Sequence, residues 1–453
     1  MTNTTSPATR PRPTGPVNRT VLRRLFEDRA VTTIMLAVPD LQGRLMGKIF
    51  NADVFLERMT SGAEMCSYIL ATDIDMTPLD GFDSAGWDQG FGDFLVIPDL
   101  DQVHRLPHRP HTALIFGTPV HDDTSPVEVA PRQLLTTQLA RLHHLGYDMK
   151  AGIEAEFLLY TGGGDSRTPA WSANLDYALQ QPPEISDFFH HLAGALTDAG
   201  IRYEAIKAEG AAGQAEVTLA YGDTLAACDH YTVFRHLVAH TASRYGMTPV
   251  FMAAPATGVA SGLHLHLSLW NENHKPAFTH RRGDGLPPLM EHAVAGLLSA
   301  LPHLAPLYAP TVNSYKRFQP HSFAPTHYTW GIDHRGCAIR ACGHGPGSHL
   351  EVRLAGADAN VYLALAAYTA AITHGIEEQL TPWPACEGDA YQDQATVPLY
   401  ADLAEALTHF EHSTIAHHLL GNNVVRHYTQ AARTELAWHR KHVSDVEQQR
   451  GFR

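Results

Sequence analysis

Four short segments of this sequence carry acidic, imidazole or guanidinium side chains inside otherwise apolar runs. In Gly152 to Tyr160 (GIEAEFLLY), Glu154 and Glu156 alternate with Ile153, Ala155 and Phe157. In Gly262 to Trp270 (GLHLHLSLW), His264 and His266 alternate with Leu263, Leu265 and Leu267. Glu351 and Arg353 share the spacing in HLEVR, while Glu209 and Glu216 flank a Gly- and Ala-rich bend in KAEGAAGQAEVT. A pleated strand points residues two apart to one face, whereas a helix sends them apart. Taken singly, such pairs also suit a solvated strand face or structural histidines. Brought into one cleft, the five carboxylates would repel by about 4 kcal/mol per close pair at 4 Å and an effective dielectric near 20. Only cations make that crowd tolerable, and carboxylates with an occasional imidazole suit Mg²⁺ or Mn²⁺. Spacing alone leaves open whether the segments converge.

The elements that must position these residues are partly legible. Val31 to Val38 (VTTIMLAV) predicts a strand, Pro39 to Gly43 a turn, and Leu45 to Phe50 the returning strand of a hairpin. Further short strand signals up to about Pro119 predict a small β-rich N-terminal domain over 18–125, behind a mobile arm over 1–17. Pro131 opens an amphipathic helix with Leu134, Leu135, Leu139 and Leu142 on one side and Gly146 at its end. More helices are predicted near 183–199, 223–245, 286–303 and 358–377, with Asp223 as a cap and Gly200 and Gly246 as stops. The strands between them alternate polar with apolar residues, as a sheet with one face in a polar cleft would. One large α+β catalytic domain over 126–453 is the simplest account.

Bulk composition narrows the function classes. The 453 residues are 44% apolar and 18% charged, ordinary values for a soluble globular chain. With a formal charge of −14 and no basic runs, a nucleic-acid partner is not expected. No stretch approaches the roughly 20 apolar residues of a membrane span, and Met1 to Arg23 lacks the apolar core of a secretory signal. Cys66, Cys228, Cys337, Cys342 and Cys386 are scattered and odd in number, which predicts free thiols in a reducing cytoplasm. Cys337 and Cys342 have no CxxC partner pair and are expected as small buried residues, not zinc ligands. His143, His144, His190 and His191 fall where surface or capping roles are the default.

Five ordered blocks resemble the glutamine synthetase family over most of the chain, from about Val31 onward. They are Glu154-Ala155-Glu156, Glu209 with Gly213-Gln214-Ala215-Glu216, Ser261 to His266, Asn313 to Arg317, and Arg335 with Arg340 and Glu351-Val352-Arg353. The resemblance implies an α+β fold of the glutamine synthetase/guanido kinase type: a small β-grasp-like N-terminal domain and a large catalytic domain with a curved antiparallel sheet. It implies ATP as co-substrate and two or more Mg²⁺ or Mn²⁺ ions per active site. Glu156, Glu209 and Glu216 match the set that holds the metal beside the amino-acid carboxylate; Glu154, His264 and Glu351 match the set for the metal on the ATP phosphates. Arg317 and Arg353 match residues that grip glutamate, with Gly262 in the same substrate site and His266 beside the transferring phosphoryl group. Arg335 and Arg340 match arginines that neutralise the phosphates. Metals and guanidinium forks mask both anions so that a carboxylate attacks γ-phosphorus, giving a γ-glutamyl phosphate. The implied assembly is a homo-dodecamer with active sites between subunits.

Departures from the family pattern redirect the substrate. Six residues after Arg317, before Ala324-Pro325, the family carries a flap glutamate that helps bind and deprotonate ammonium; here Phe323 stands there. A phenyl ring shields the acyl phosphate but neither attracts a cation by charge nor accepts a proton. The expected nucleophile is therefore an alkyl- or arylamine, in a pocket that Tyr177 also lines. The aspartate that ammonia-using members bring from a neighbouring subunit has no secure counterpart, Asp73 and Asp75 being candidates. The wording around Asp40 to Arg44 and Ala71 to Asp75 is similar to bacterial γ-glutamylamide synthetases for small amines such as ethanolamine. Val259-Ala260 replaces the usual Asn-Gly, which keeps a glutamate analogue open, and His349 replaces an arginine at the ATP phosphates. The expected activity is an ATP-dependent carbon–nitrogen ligase that joins the γ-carboxylate of glutamate to a small organic amine. The alternatives are an ammonia-dependent glutamine synthetase, amidation of another carboxylate, and a non-catalytic member, against which the intact metal set argues.

Overall fold

The hairpin forms where the sequence predicts it. In the computed structural model, which describes residue 24 and residues 28–452 apart from 84, 164, 165, 284, 394 and 395, β1 (Thr33–Pro39) pairs antiparallel with β2 (Leu45–Asn51). The arm expected over 1–17 lies outside the described residues. Asp40 builds the turn: its carboxylate accepts from the Gln42 and Arg44 amides at 3.0 and 2.8 Å and ion-pairs Arg44 at 2.7 Å. Gly43 supplies the positive φ, 73°, that closes it. With β3 (Ala63–Cys66), β4 (Asp93–Arg105) and β5 (Thr112–Val120) the hairpin makes a five-stranded sheet in the order β2-β1-β5-β4-β3. β1 and β5 run parallel at its centre and the other neighbours antiparallel, a β-grasp arrangement.

The second sheet has nine strands around β6 (Tyr147–Thr161), which is flanked by β9 (Gln214–Asp223) and β11 (Leu263–Asn271). The short β7 (Thr168–Pro169) and β10 (Met247–Val250) also pair with β6. Beyond β9 lies β8 (Tyr203–Ala208), and beyond β11 follow β14 (His349–Val352), β13 (Ile339–Cys342) and β12 (Trp330–Ile332). All pairings are antiparallel except β12 with β13. Ile153, Ala155 and Phe157 of β6, Leu263, Leu265 and Leu267 of β11, and Leu350 and Val352 of β14 are all buried, as period-two alternation requires.

The core continues into helices Pro131–His144, Thr224–Ser243, Pro288–Ala300 and Val361–Glu377. The last is apolar almost all round and correspondingly buried. It meets Pro288–Ala300 at two glycines: a Cβ on Gly296 would lie 2.2 Å from Ala371 O and 2.8 Å from Gly375 Cα. Asp223 caps Thr224–Ser243 as expected, accepting from the Ala226 amide at 3.1 Å. Helices Leu403–Glu411, Thr414–Leu420 and Asn422–Lys441 have no counterpart in the sequence reading. No described helix is long and apolar enough to cross a membrane.

Buried polar groups tie the small sheet to the rest. Asn360 caps Val361–Glu377 and also donates to Asp40 O and Leu41 O at 2.9 and 3.1 Å. Arg132 forks onto fully buried Asp229 at 3.1 and 2.9 Å and reaches Asp99 of β4 at 2.9 Å. Tyr362 OH donates to the same Asp229 at 2.7 Å. Leaving one such buried group unpaired costs about 1–3 kcal/mol.

Candidate active site

Strand register brings the polar residues together. Across β6 and β11, Glu154 lies opposite His264; across β11 and β14, His266 lies opposite Glu351; across β13 and β14, Arg340 lies opposite Glu351. On the other flank Glu156 faces Glu216 of β9, which faces Lys207 of β8. A single polar face therefore runs from Arg340 to Lys207, set against the leucines and isoleucine beneath it.

Side chains on this face meet closely. His264 Nδ1 is 2.7 Å from Glu154 Oε1 and 3.8 Å from Glu351 Oε1, and His264 Nε2 is 4.0 Å from Glu156 Oε1. His266 Nε2 is 3.6 Å from the other Glu154 oxygen. One ligand atom each from Glu154, Glu156 and His264 lies within 4.8 Å of the others, and the same holds for Glu154, His266 and Glu351. Glu209 and Glu216 meet on Lys207 instead: Lys207 ion-pairs Glu209, stands 3.8 Å from Glu216 and binds Asp176 at 3.0 Å. Glu156 is fixed by the Gly262 amide at 2.8 Å and by Gln214 Nε2 at 3.0 Å.

The electrostatics follow from this crowding. Burial works to raise the Glu154 carboxyl, but the imidazoles of His264 and His266 outweigh it and hold Glu154 far below the usual carboxylate range. Burial likewise opposes ionisation of Glu351, yet His264, Arg353, His266 and Arg340 hold it at about 2. Glu216 goes the other way: burial, and then the charge of Glu154, pushes it up to about 10. Burial also pulls the Arg317 guanidinium down to about 10.

The other predicted residues fall around this face. Arg353 ion-pairs Glu351 and its Nη2 reaches Phe323 O at 3.4 Å. Arg317 donates to Arg353 O and Leu354 O at 3.1 and 3.2 Å and lies 3.4 Å from His264 Nε2. Arg340 binds Glu351 at 2.8 Å and ion-pairs Asp333, while Arg335 is exposed on the turn between β12 and β13. The His349 ring is 5.2 Å from that of His266, and its Nδ1 donates to Gly347 O at 2.7 Å. Tyr177 and Phe323 are exposed, 74% and 69%, and both hold positive φ, 56° and 59°. Tyr177 is therefore not core; its ring lies beneath the Lys207 ammonium at 4.6 Å. Lys207, Gln214 and Asp333 were given no role by the sequence reading. Gln214 stands inside one of the family blocks, and Lys207 is two residues before Glu209, at the end of β8.

The residues fit divalent cations and an anionic substrate. Carboxylates and imidazoles are the donors that Mg²⁺ and Mn²⁺ take, and Glu154, Glu156 and His264, like Glu154, His266 and Glu351, each bring three such atoms within 4.8 Å of one another. Arg317 Nε and Arg353 Nε are buried donors with no hydrogen-bond acceptor among the described residues, as a carboxylate grip requires. Gly262 keeps that space: a Cβ there would lie 2.7 Å from His264 Nε2, 2.9 Å from Arg317 Nη2 and 3.2 Å from Glu156 Oε1.

Comparison with known proteins shows the family and the fold. The glutamine synthetase catalytic domain family matches residues 128–450. A gamma-glutamylethanolamide synthetase of Streptomyces coelicolor is 39% identical over 449 residues, covering 97% of this chain and 96% of its own. A glutamate–isopropylamine ligase of a Pseudomonas species is 30% identical over 440 residues, covering 94% and 96%. A solved GmaS–ADP complex superposes with a TM-score of 0.83 at 26% identity, covering 94% of this chain and 98% of that one. With its ordered acidic strands, buried arginine pair and family match over 128–450, this chain belongs to the glutamine synthetase family.

Proposed function

We propose that this protein is an ATP-dependent ligase that joins the γ-carboxylate of glutamate to a small organic amine through a γ-glutamyl phosphate. The observation that carries the choice of amine over ammonia is Phe323. By the family resemblance it stands where ammonia-using members carry a flap glutamate; its ring is exposed and its carbonyl accepts from Arg353, which supports a place at the mouth of the cleft. Two relatives over nearly the full chain are ligases of organic amines, which supports the same reading.

In this reading, Glu156, Glu209 and Glu216 hold one divalent cation, and Glu154, His264 and Glu351 hold the other. Mg²⁺ or Mn²⁺ bound there neutralises phosphate charge. Arg317 and Arg353 orient the glutamate carboxylates with their buried guanidinium groups, Gly262 leaves room for the chain, and His266 lies beside the transferred phosphoryl group. Arg335, Arg340 and His349 contact the ATP phosphates. The γ-carboxylate oxygen attacks γ-phosphorus and ADP leaves; the amine nitrogen then attacks the acyl carbon, phosphate leaves, and the nitrogen gives up a proton. Tyr177 and Phe323 line the amine pocket and shield the acyl phosphate from water.

The proposed organisation is a β-grasp-like domain over 18–125 and a catalytic domain over 126–453, assembled as a cytoplasmic homo-dodecamer with active sites between subunits. Phosphate release from ATP, with glutamate and a panel of methylamine, isopropylamine, ethanolamine, putrescine and ammonia, tests the reaction. Highest kcat/KM with ammonia would reject the amine assignment. Release only with another carboxylate would favour a glutamate analogue, the reading that Val259-Ala260 keeps open. No release with any partner would favour a non-catalytic role.

A further inference from the structure

On the β12–β13 turn that also carries Arg335, His334 and Cys337 meet Cys386, which is distant in sequence. One ligand atom each from His334, Cys337 and Cys386 lies within 4.8 Å of the others. We propose that His334, Cys337 and Cys386 form a zinc-binding site, separate from the carboxylate cleft and joining the β12–β13 turn to the segment around Cys386.

Geometry and donor chemistry both support it. Zn–S bonds of about 2.3 Å and Zn–N bonds of about 2.0 Å in a tetrahedron place ligand atoms roughly 3.5–3.8 Å apart, within reach of the observed cluster. Two thiols and one imidazole select zinc over the hard cations that suit the carboxylates of the cleft. The imidazole is in the tautomer that coordination through Nδ1 needs. His334 Nε2 lies 2.6 Å from Gly388 O, which only accepts, so that nitrogen carries the proton. Nδ1 keeps the lone pair and spends it on the Gly336 amide at 3.1 Å, a hydrogen bond that a bound zinc would replace. A ring N–H on a backbone carbonyl is the usual support of a metal-bound histidine.

The segments are already held together. The Cys386 amide donates to Trp330 O at 2.8 Å, and the Cys337 amide to His334 O at 3.3 Å. Gly331 leaves the space, since a Cβ there would lie 3.2 Å from Cys337 Sγ and 3.3 Å from Cys386 O. The rival outcome is a disulfide between the two thiols, which hydrogen-bond each other. Three protein ligands leave a fourth position for water, because His334 and Cys386 are only half-buried.

The test uses the full chain dialysed against millimolar Mg²⁺, then loaded with zinc, or with cobalt as a spectroscopic probe. The proposal expects about one zinc retained per chain by elemental analysis and a sulfur-to-cobalt charge-transfer band in the near ultraviolet. Cys337 is fully buried and its replacement perturbs packing, so half-buried Cys386 carries the test. Cys386→Ser should abolish the band and weaken zinc binding at least about 100-fold. Cys342→Ser should keep both, although Cys342 lies 3.8 Å from Glu351. Three results would overturn the site: no cobalt–thiolate band, a band that follows Cys342, or a 2 Da mass deficit mapping to a Cys337–Cys386 disulfide.

Discussion

Glu154 and His264 sit directly opposite each other on β6 and β11, and their side chains join at 2.7 Å. The pair stands in both the acidic and the imidazole chemistry of the cleft, because the same carboxylate also faces His266 at 3.6 Å. Replacing it removes one donor from each of the two close ligand groups. Glu154→Ala is expected to lower ATP-dependent phosphate release by at least about 1,000-fold, with saturation by Mg²⁺ shifted to higher concentration. Unchanged turnover at low Mg²⁺ would remove Glu154 from the metal set.

Gly262→Ala separates site geometry from fold. The added Cβ would press on the far ends of three side chains, at His264 Nε2, Arg317 Nη2 and Glu156 Oε1, and not on backbone. The fold can absorb that with a loss of about 1–2 kcal/mol, while the substrate-binding space closes. The expected result is a melting temperature within a few degrees of the parent and kcat/KM for glutamate down at least about 100-fold. Equal losses in stability and activity would deny Gly262 its spacing role.

Phe323→Glu tests the amine pocket. Residue 323 holds φ 59° whichever L side chain it carries, so the exchange leaves the backbone strain unchanged. A carboxylate there restores a charge that attracts ammonium and accepts its proton. The ratio of kcat/KM for ammonia to that for the best amine should rise by about tenfold or more, a shift near 1.4 kcal/mol. A constant ratio would move the amine site elsewhere.

Acid should weaken the fold before it protonates most carboxylates. Burial lowers both His104 and His427 to about 4. The unfolded chain takes up these protons near pH 6.5, and the folded chain does not until about pH 4. Each histidine thus contributes stability above about pH 6.5 that is lost progressively toward pH 4, about 3 kcal/mol per group in full. Urea midpoints at pH 7.5, 6 and 5 should fall in that order. His427→Asn should flatten the slope, whatever it does to the midpoint at pH 7.5, and an unaltered slope would refute the assignment.

Much of this site was readable because strand periodicity is a local property. Glu154 with Glu156 and His264 with His266 declare their shared faces within a few residues, and the intervening leucines are buried as expected. Register is not local. That Glu156 faces Glu216, and Glu216 faces Lys207, follows from pairing across three strands. Lys207 therefore went unremarked although it holds two of the acidic residues. Cys337 was weighed against Cys342, five positions away, while its neighbour in space is Cys386, brought over by a backbone hydrogen bond to Trp330. The C-terminal helices escaped notice because Asn422–Lys441 is largely polar and only its inner stripe, with Val424, Val425 and Tyr428, is buried. His104 and His427 escaped too, since nothing in their local sequence distinguishes a buried imidazole from a surface one.

Asn360 and Arg132 act as rivets between the small sheet and the helices of the larger part. Swinging the small sheet away would strip Asn360 from two carbonyls and Arg132 from Asp99, leaving desolvated polar groups behind. The small sheet and the helices behind it therefore resist separation, and severing either Asn360 or Arg132 would loosen a seam that no apolar contact alone replaces.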